Sequence, residues 1–437
     1  MTRGTAVWTN WARTEHIRPV RRERPDSIQA VQRLVRAAAG AGLPIKAVGA
    51  GHSFTGIAVA PGVLLDLDAL SGIVRVDRDR QQVTLLGGTR LHQLPALLEP
   101  HGLAMANLGD IDRQTIAGAI STGTHGTGLG FGGIATQVVG VTIVTADGSL
   151  LTADSEQESD LLPALALGLG AFGILVEVTL QCVPAFVLHA VERPEPLDGL
   201  LPTLLDRAAA VDHFEFYWFP HTGTALTKSN RRLPGDAAVQ PIRPVARWVD
   251  DTLLANGVYR VLCNAGVVAP GIVPRVNRLA DRLVGDREFT DRSTKVFTTS
   301  RTVRFREMEY ALPLEHLRTA FERVRALIDE RGWRVSFPIE VRVAAADSLW
   351  LSTASDRATG YVAVHRFFRE EPGEYFRGVE AIMTGLGGRP HWGKLHTRDA
   401  QSLRAVYPRF DDFVQLRDRL DPGRLFGNAY LARVLGA

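Results

Sequence analysis

The chain has 437 residues, 45% hydrophobic and 22% charged, with 50 Lys+Arg against 47 Asp+Glu for a formal net charge of +3. That length accommodates two or three domains at about 150 residues each, and the composition excludes a disordered tail and an integral membrane protein. The dispersed positive excess gives no footing for nucleic acid. Cys182 and Cys263 lie too far apart for metal-ligand spacing or a disulfide framework, which points to a reducing, cytoplasmic compartment.

The first 25 residues carry Arg21 and Arg22 but no apolar run of the kind a signal peptide needs, so export is not expected. No stretch approaches about 20 uninterrupted apolar residues; peripheral membrane association stays open. In DSIQAVQRLVRAAAGAG (26–42), Ile28, Val31, Leu34 and Val35 share one helical face, with Asp26 or Ser27 as cap and Gly40 as stop. The glycine-bounded runs IKAVGAG (45–51), GVLLDLD (62–68) and QQVTLLGG (81–88) predict strands. LHQLPALLEPHGL (91–103) predicts a helix interrupted at Pro95, and VVGVTIVTADGSLLT (138–152) a hairpin turning at Asp147-Gly148. From about residue 184 the texture changes. VDHFEFYWFPHT (211–222) predicts an aromatic strand of a second domain, and RRLPGDAAVQPIRPVAR (231–247) a surface loop. A strand (301–313), a helix (314–332), strands at 334–347 and 360–368, and a helix-forming tail (402–421) complete an α+β pattern.

Residues 118–133, GAISTGTHGTGLGFGG, hold seven glycines in sixteen positions where 42 in 437 predicts one or two. Glycines and small hydroxyl residues let backbone N–H groups approach a diphosphate; a glycine-rich turn cluster is the alternative. GLGFGG (128–133) and GLGAFG (168–173) both fit G-x-G-x-x-G, yet each leads into a strand, the reverse of the strand-glycines-helix order that a nicotinamide site needs. A P-loop is absent, and GHSFT (51–55) lacks the second glycine of a nucleophile elbow. VGAGHSF (48–54) ends a strand in a tight turn with His52 and Ser53 at its tip. His52 is either a hydrogen-bonding loop residue or a nucleophilic nitrogen held against a cofactor.

Further along, RVSFPIEVRV (334–343) alternates: Val335, Phe337, Ile339, Val341 and Val343 on one face, Ser336, Pro338, Glu340 and Arg342 on the other. Tyr361, Ala363, His365 and Phe367 share a face of the following strand, which puts His365 beside the Glu–Arg pair if the strands are neighbours. The pair is either part of a site or a surface ion pair of little energetic weight.

Together, VGAGHSF, NLGDIDRQTIAGAISTGTHGTG (107–128), SFPIEVR (336–342), RPHWGK (389–394) and LDPGRLFGNAYL (420–431) resemble the aldonolactone oxidoreductases. These are the gulonolactone, galactonolactone and arabinonolactone oxidases and dehydrogenases, with alditol oxidase relatives, of the vanillyl-alcohol-oxidase class of flavoproteins. The resemblance implies an α+β fold of two domains: a PCMH-type FAD-binding domain (1–183), a mixed-sheet cap or substrate domain (184–399), and a C-terminal segment (400–437) returning to the first. It implies FAD bonded covalently through His52, held by the loop Val48, Gly49, Ala50, Gly51, His52 and Ser53, by Gly109 and Asp110, by Thr115 and Gly118, and by Thr122, Gly123, Thr124 and His125. Arg342 matches the arginine that stabilises negative charge on reduced flavin, Glu340 its partner on the substrate hydroxyl, and Lys394 the active-site lysine. His365 is the candidate base, and His391 takes a supporting role. Glycine at 109 points to oxygen access and an oxidase. Asp110 in place of serine and Phe367 in place of threonine favour a lactone over an alditol, with no role derivable for the Asp110 carboxylate. The expected partners are a sugar lactone or polyol and O₂ or another redox acceptor.

Overall fold

The computed structural model describes residues 6–244, 256–283, 285–299 and 302–437. The N-terminal half builds a three-stranded and a five-stranded sheet, beside two two-stranded ribbons that pair Trp8–Thr9 with His16–Ile17 and Leu103–Ala104 with Val183–Pro184. Helix α1 (Ile28–Gly40) is capped by Ser27, whose hydroxyl accepts from the Ala30 N–H, and it buries Val31, Val35 and Ala38. Gly40 is its last residue rather than its stop; the left-handed turn falls at Gly42, with φ of 63°, where a side chain would be strained. Strands β1 (Arg21–Glu23), β2 (Ile45–Val48) and β3 (Val63–Asp66) form a parallel sheet in the order β1-β3-β2. Strands β4 (Ile73–Asp77), β5 (Gln82–Leu86), β6 (Val138–Val144), β7 (Leu150–Asp154) and β8 (Ile174–Gln181) form an antiparallel sheet ordered β7-β6-β8-β5-β4. The β6–β7 hairpin turns at Asp147-Gly148 as the sequence predicts, with Gly148 at φ of 80°. The helix expected at 91–103 divides into two short 3₁₀ turns around Leu94–Leu98, because Pro95 fits only a first helical turn.

The second half is dominated by one sheet of eight antiparallel strands: β9 (Val187–Pro196), β10 (His213–Trp218), β11 (Thr224–Leu233), β12 (Arg287–Arg292), β13 (Phe305–Pro313), β14 (Ile339–Ala344), β15 (Thr359–Phe367) and β16 (Arg389–Pro390). Their order is β12-β9-β11-β10-β14-β15-β13-β16. Arg231, Arg232 and Leu233, expected in a loop, end β11; the loop starts at Pro234, and its residues 245–247 lie outside the described residues. Position 301, expected at the start of β13, lies outside them too. The strand expected over 334–347 is shorter, because Pro338 cannot donate to the ladder and pairing begins at Ile339.

One face of this sheet is apolar: Phe214, Phe216, Trp218, Met308, Tyr310, Leu312, Ile339, Val341, Val343, Val362 and Val364 pack against helices Leu317–Arg331 and Gly373–Gly385. The opposite face looks onto the N-terminal half. The tail breaks at Pro408 into Ala400–Arg404 and Phe410–Leu420, followed by Ala429–Leu435. Its Leu403, Phe410, Phe413, Tyr430 and Val434 complete the core that holds β5, β6 and β8. No helix among the described residues is long and apolar enough to cross a membrane.

Candidate active site

Two adjoining cavities, the first within the N-terminal half and the second between the halves, share His52, Ser53, Gln114 and Thr122 in their walls. Together they form a two-lobed cleft whose lobes meet at these four residues. Backbone and small residues line the first lobe: Val48 to Ser53 from the turn after β2, Thr115 and Gly118 at the start of helix Ile116–Ser121, and Thr122. Gly170 and Gly173 of GLGAFG line it as well, so a segment rejected as a nicotinamide fingerprint contributes to the cleft by a different geometry. Thr115 caps its helix, its hydroxyl accepting from the Gly118 N–H at 3.1 Å, and a Cβ on Gly49 would collide with that hydroxyl. Gly49→Ala is therefore expected to dislodge the cap and cost about 1 kcal/mol or more, read as a lower urea midpoint; an unchanged midpoint contradicts the packing.

Gly109, Asp110, Thr124 and His125 line the second lobe together with Glu340, Arg342, Lys394 and His365. Gly123, expected at the cofactor, lines neither lobe; its φ of 74° makes the turn that carries its neighbours. A Cβ on Gly109 would stand 2.9 Å from the His125 carbonyl oxygen, so the bare Cα serves the close approach of two loops. Phe367 lies in an apolar cluster with Phe337, Phe305 and Phe54 and outside both cavity walls, which removes it from the lactone-against-alditol argument.

Strand register explains the constellation. Antiparallel pairing sets Tyr217 opposite Glu340, Glu340 opposite Ala363 and Ala363 opposite Glu309, while Glu307 faces His365. Glu340 and Arg342 are only 5% and 8% exposed, which disposes of the surface ion pair. Arg342 pairs with Asp110 and Glu340 and donates through Nε to Glu215 at 2.7 Å. Tyr217 donates to Glu340 at 3.0 Å. Burial opposes the guanidinium charge, but Asp110, Glu340, Glu215 and Tyr217 outweigh it and hold Arg342 well above its ordinary range. Asp110 thereby gains the role the sequence left open. It is one of three carboxylates fixing that arginine.

Glu307, Glu309, Glu215 and Tyr217 were not singled out from the sequence. The available signal was the pair of carboxylates two positions apart in REMEYALP, which puts both on one face of an otherwise apolar strand. Glu309 meets His125 Nε2 at 3.2 Å, and His125 stacks on Tyr361. Burial raises Glu309, yet His125, His391 and Lys394 bring it down to about 2. Glu307 pairs with Lys394 and stands 3.5 Å from His365 Nε2.

The oxygen and nitrogen atoms of His125, Glu309 and His391 lie within 4.8 Å of one another, as do those of Asp110, Glu215 and Glu340. His391 Nδ1 accepts from the Gly393 N–H, so in the neutral ring its other nitrogen carries the proton. Arg342 already occupies the three carboxylates.

Burial first, and then Lys394, Arg90 and Arg113, bring His52 down to about 4; the ring, stacked on Trp11 at 5.4 Å, is neutral near pH 7. Burial likewise brings His391 and His213 to about 4 and His396 to about 3. These rings stay neutral in the folded chain while the unfolded chain protonates them near pH 6.5. Their stabilising contribution is thus present above that pH and is lost as pH falls towards 4. Melting temperature is expected to drop steadily between pH 7 and 4; a flat profile contradicts this.

A profile of the D-arabinono-1,4-lactone oxidase family matches residues 178–434, and one of an FAD binding domain matches residues 21–154. The L-gulono-1,4-lactone dehydrogenase of Mycobacterium tuberculosis is 41% identical over 98% of this chain and 99% of its own. The L-gulonolactone oxidase of Scyliorhinus torazame is 32% identical over 97% of each. A solvent-stable cholesterol oxidase shares the fold, with a TM-score of 0.84 and 19% identity over 99% of this chain and 98% of its own.

Proposed function

The chain belongs to the D-arabinono-1,4-lactone oxidase family of FAD-dependent oxidoreductases, and we propose that it oxidises a CH–OH group of a sugar 1,4-lactone such as L-gulono-1,4-lactone. The observation that carries this reading is the two-lobed cleft, glycine-lined on one side of His52 and lined by Glu340, Arg342, Lys394 and His365 on the other. The residues suit FAD. Close-packed backbone from 48–53 and 115–122 suits a diphosphate, and the neutral, half-buried His52 where the lobes meet suits a covalent bond to the ring. FAD supplies a hydride acceptor there. On this reading residues 1–183 hold the cofactor, 184–399 form the substrate cap, and 400–437 return to the first part.

Arg342, immobilised by three carboxylates, keeps a fixed positive charge where negative charge develops, the arrangement that gives the largest electrostatic effect in catalysis. Glu340 accepts from a neighbouring substrate hydroxyl, Lys394 donates to the oxygen of the reacting one, and His365 takes the reacting hydroxyl's proton. Electrons leave to O₂ or to another acceptor, and the protein works in the cytoplasm or at a membrane surface. Steady-state assays of gulono-, galactono- and arabinono-lactone against xylitol and sorbitol, followed as peroxide and as dye reduction, test the reading. Lactones are expected to give the higher kcat/KM; better turnover of the polyols contradicts it.

A further inference from the structure

We propose that Glu307 is a positioning residue for the reaction, fixing His365 with its Nε2 as proton acceptor and stabilising the proton once it arrives there. The inference rests on the oxidation proposed above and concerns a residue with no role so far. His365 Nδ1 lies 2.9 Å from the Pro338 carbonyl oxygen. A carbonyl only accepts, so Nδ1 carries the proton and, in the neutral ring, the lone pair is on Nε2. That nitrogen faces Glu307 Oε1 at 3.5 Å, too far for an ordinary hydrogen bond and close enough for strong charge stabilisation. The other oxygen of Glu307 is taken by Lys394 Nζ.

Antiparallel pairing of Glu307 with His365 across β13 and β15 fixes this alignment through the backbone. Glu307 is 5% and His365 3% exposed, and both line the second lobe. The rings of Phe305 and Phe337 at 5.1 and 6.2 Å wall off His365. A carboxylate ionised by its lysine has no proton to lend to Nε2. Nε2 thus stands beside a counter-charge that is already in place.

When the substrate C–H bond breaks, its electron pair leaves with the hydrogen to FAD and the O–H proton passes to Nε2. The substrate becomes a carbonyl compound, the imidazole an imidazolium, and Glu307 balances the new charge. The other charged or titratable groups lining this lobe are Glu309 on β13, Glu340 and Arg342 on β14, Lys394 after β16, Asp110, and the rings of His52, His125 and His391, with Cys263 and Tyr259 of helix Tyr259–Val268 in the adjoining aromatic cluster. None of them stands across the pairing register from His365, as Glu307 does.

The test uses FAD-loaded protein with carbon-labelled histidine rings, the His365 resonance being identified by its loss in His365→Gln. In Glu307→Gln this resonance is expected to titrate about one pH unit below wild type, as removal of an opposite charge at this range requires. Glu307→Asp should restore most of the shift. The acidic limb of kcat/KM should move down by the same amount, and kcat should fall by about 10- to 100-fold. Should Glu307→Gln not fold, Lys394→Met gives the opposite sign, moving the titration up. A His365 titration unchanged in Glu307→Gln, or unmoved in Lys394→Met, overturns the proposal. A wild-type protein that turns over no lactone sinks the proposed substrate, while the titration still decides the part played by Glu307.

Discussion

Arg342→Ala is expected to lower turnover by about 10³-fold with FAD still bound, in line with the loss of one preorganised charge at a developing anion. The same change removes the cation that Asp110, Glu215 and Glu340 share. Two buried carboxylates and the half-buried Asp110 then lose their shared cation and keep Tyr217 as a common donor, a loss of about 3–5 kcal/mol by comparison with other broken buried pairs. Arg342→Lys keeps the charge and loses the fork that reaches several carboxylates at once; it should retain more stability than activity. Denaturation at pH 7, beside turnover, separates the two effects. An alanine variant with normal turnover would leave the strand pair without a catalytic part.

The second large effect belongs to His52. With acid precipitation the wild-type polypeptide is expected to stay yellow, whereas His52→Ala should release all its FAD to the supernatant. The other residues of the first lobe remain, so the variant should still bind FAD in the native state and exchange it on dialysis. Colour that remains with precipitated His52→Ala places the bond on another residue. Colour released by the wild type contradicts a covalent bond altogether.

Much of this site was legible in the sequence because its parts obey short periods. The turn after β2 and the alternation that sends Glu340 and Arg342 to one face both follow from neighbours within a few residues. What sequence reading missed depends on long-range register. Tyr217 reaches Glu340, 123 positions away, only because β10 pairs with β14, and Glu307 meets His365 only because β13 pairs with β15. The role of Asp110 was hidden for the same reason, since its cation lies 232 positions on. Phe367 misled because facing the site side of a strand does not ensure reaching the cavity: at the end of β15 the aromatic cluster of Phe54, Phe305 and Phe337 has already closed over it.

The most direct measurement is anaerobic mixing of the FAD-loaded protein with L-gulono-1,4-lactone while the visible flavin absorbance is followed. The arrangement of His52, Arg342 and His365 around one cleft predicts full bleaching by the lactone in wild type, and bleaching slowed by about 10³-fold in Arg342→Ala. Absorbance left unchanged by every aldonolactone, in a protein whose flavin a chemical reductant bleaches normally, would contradict it.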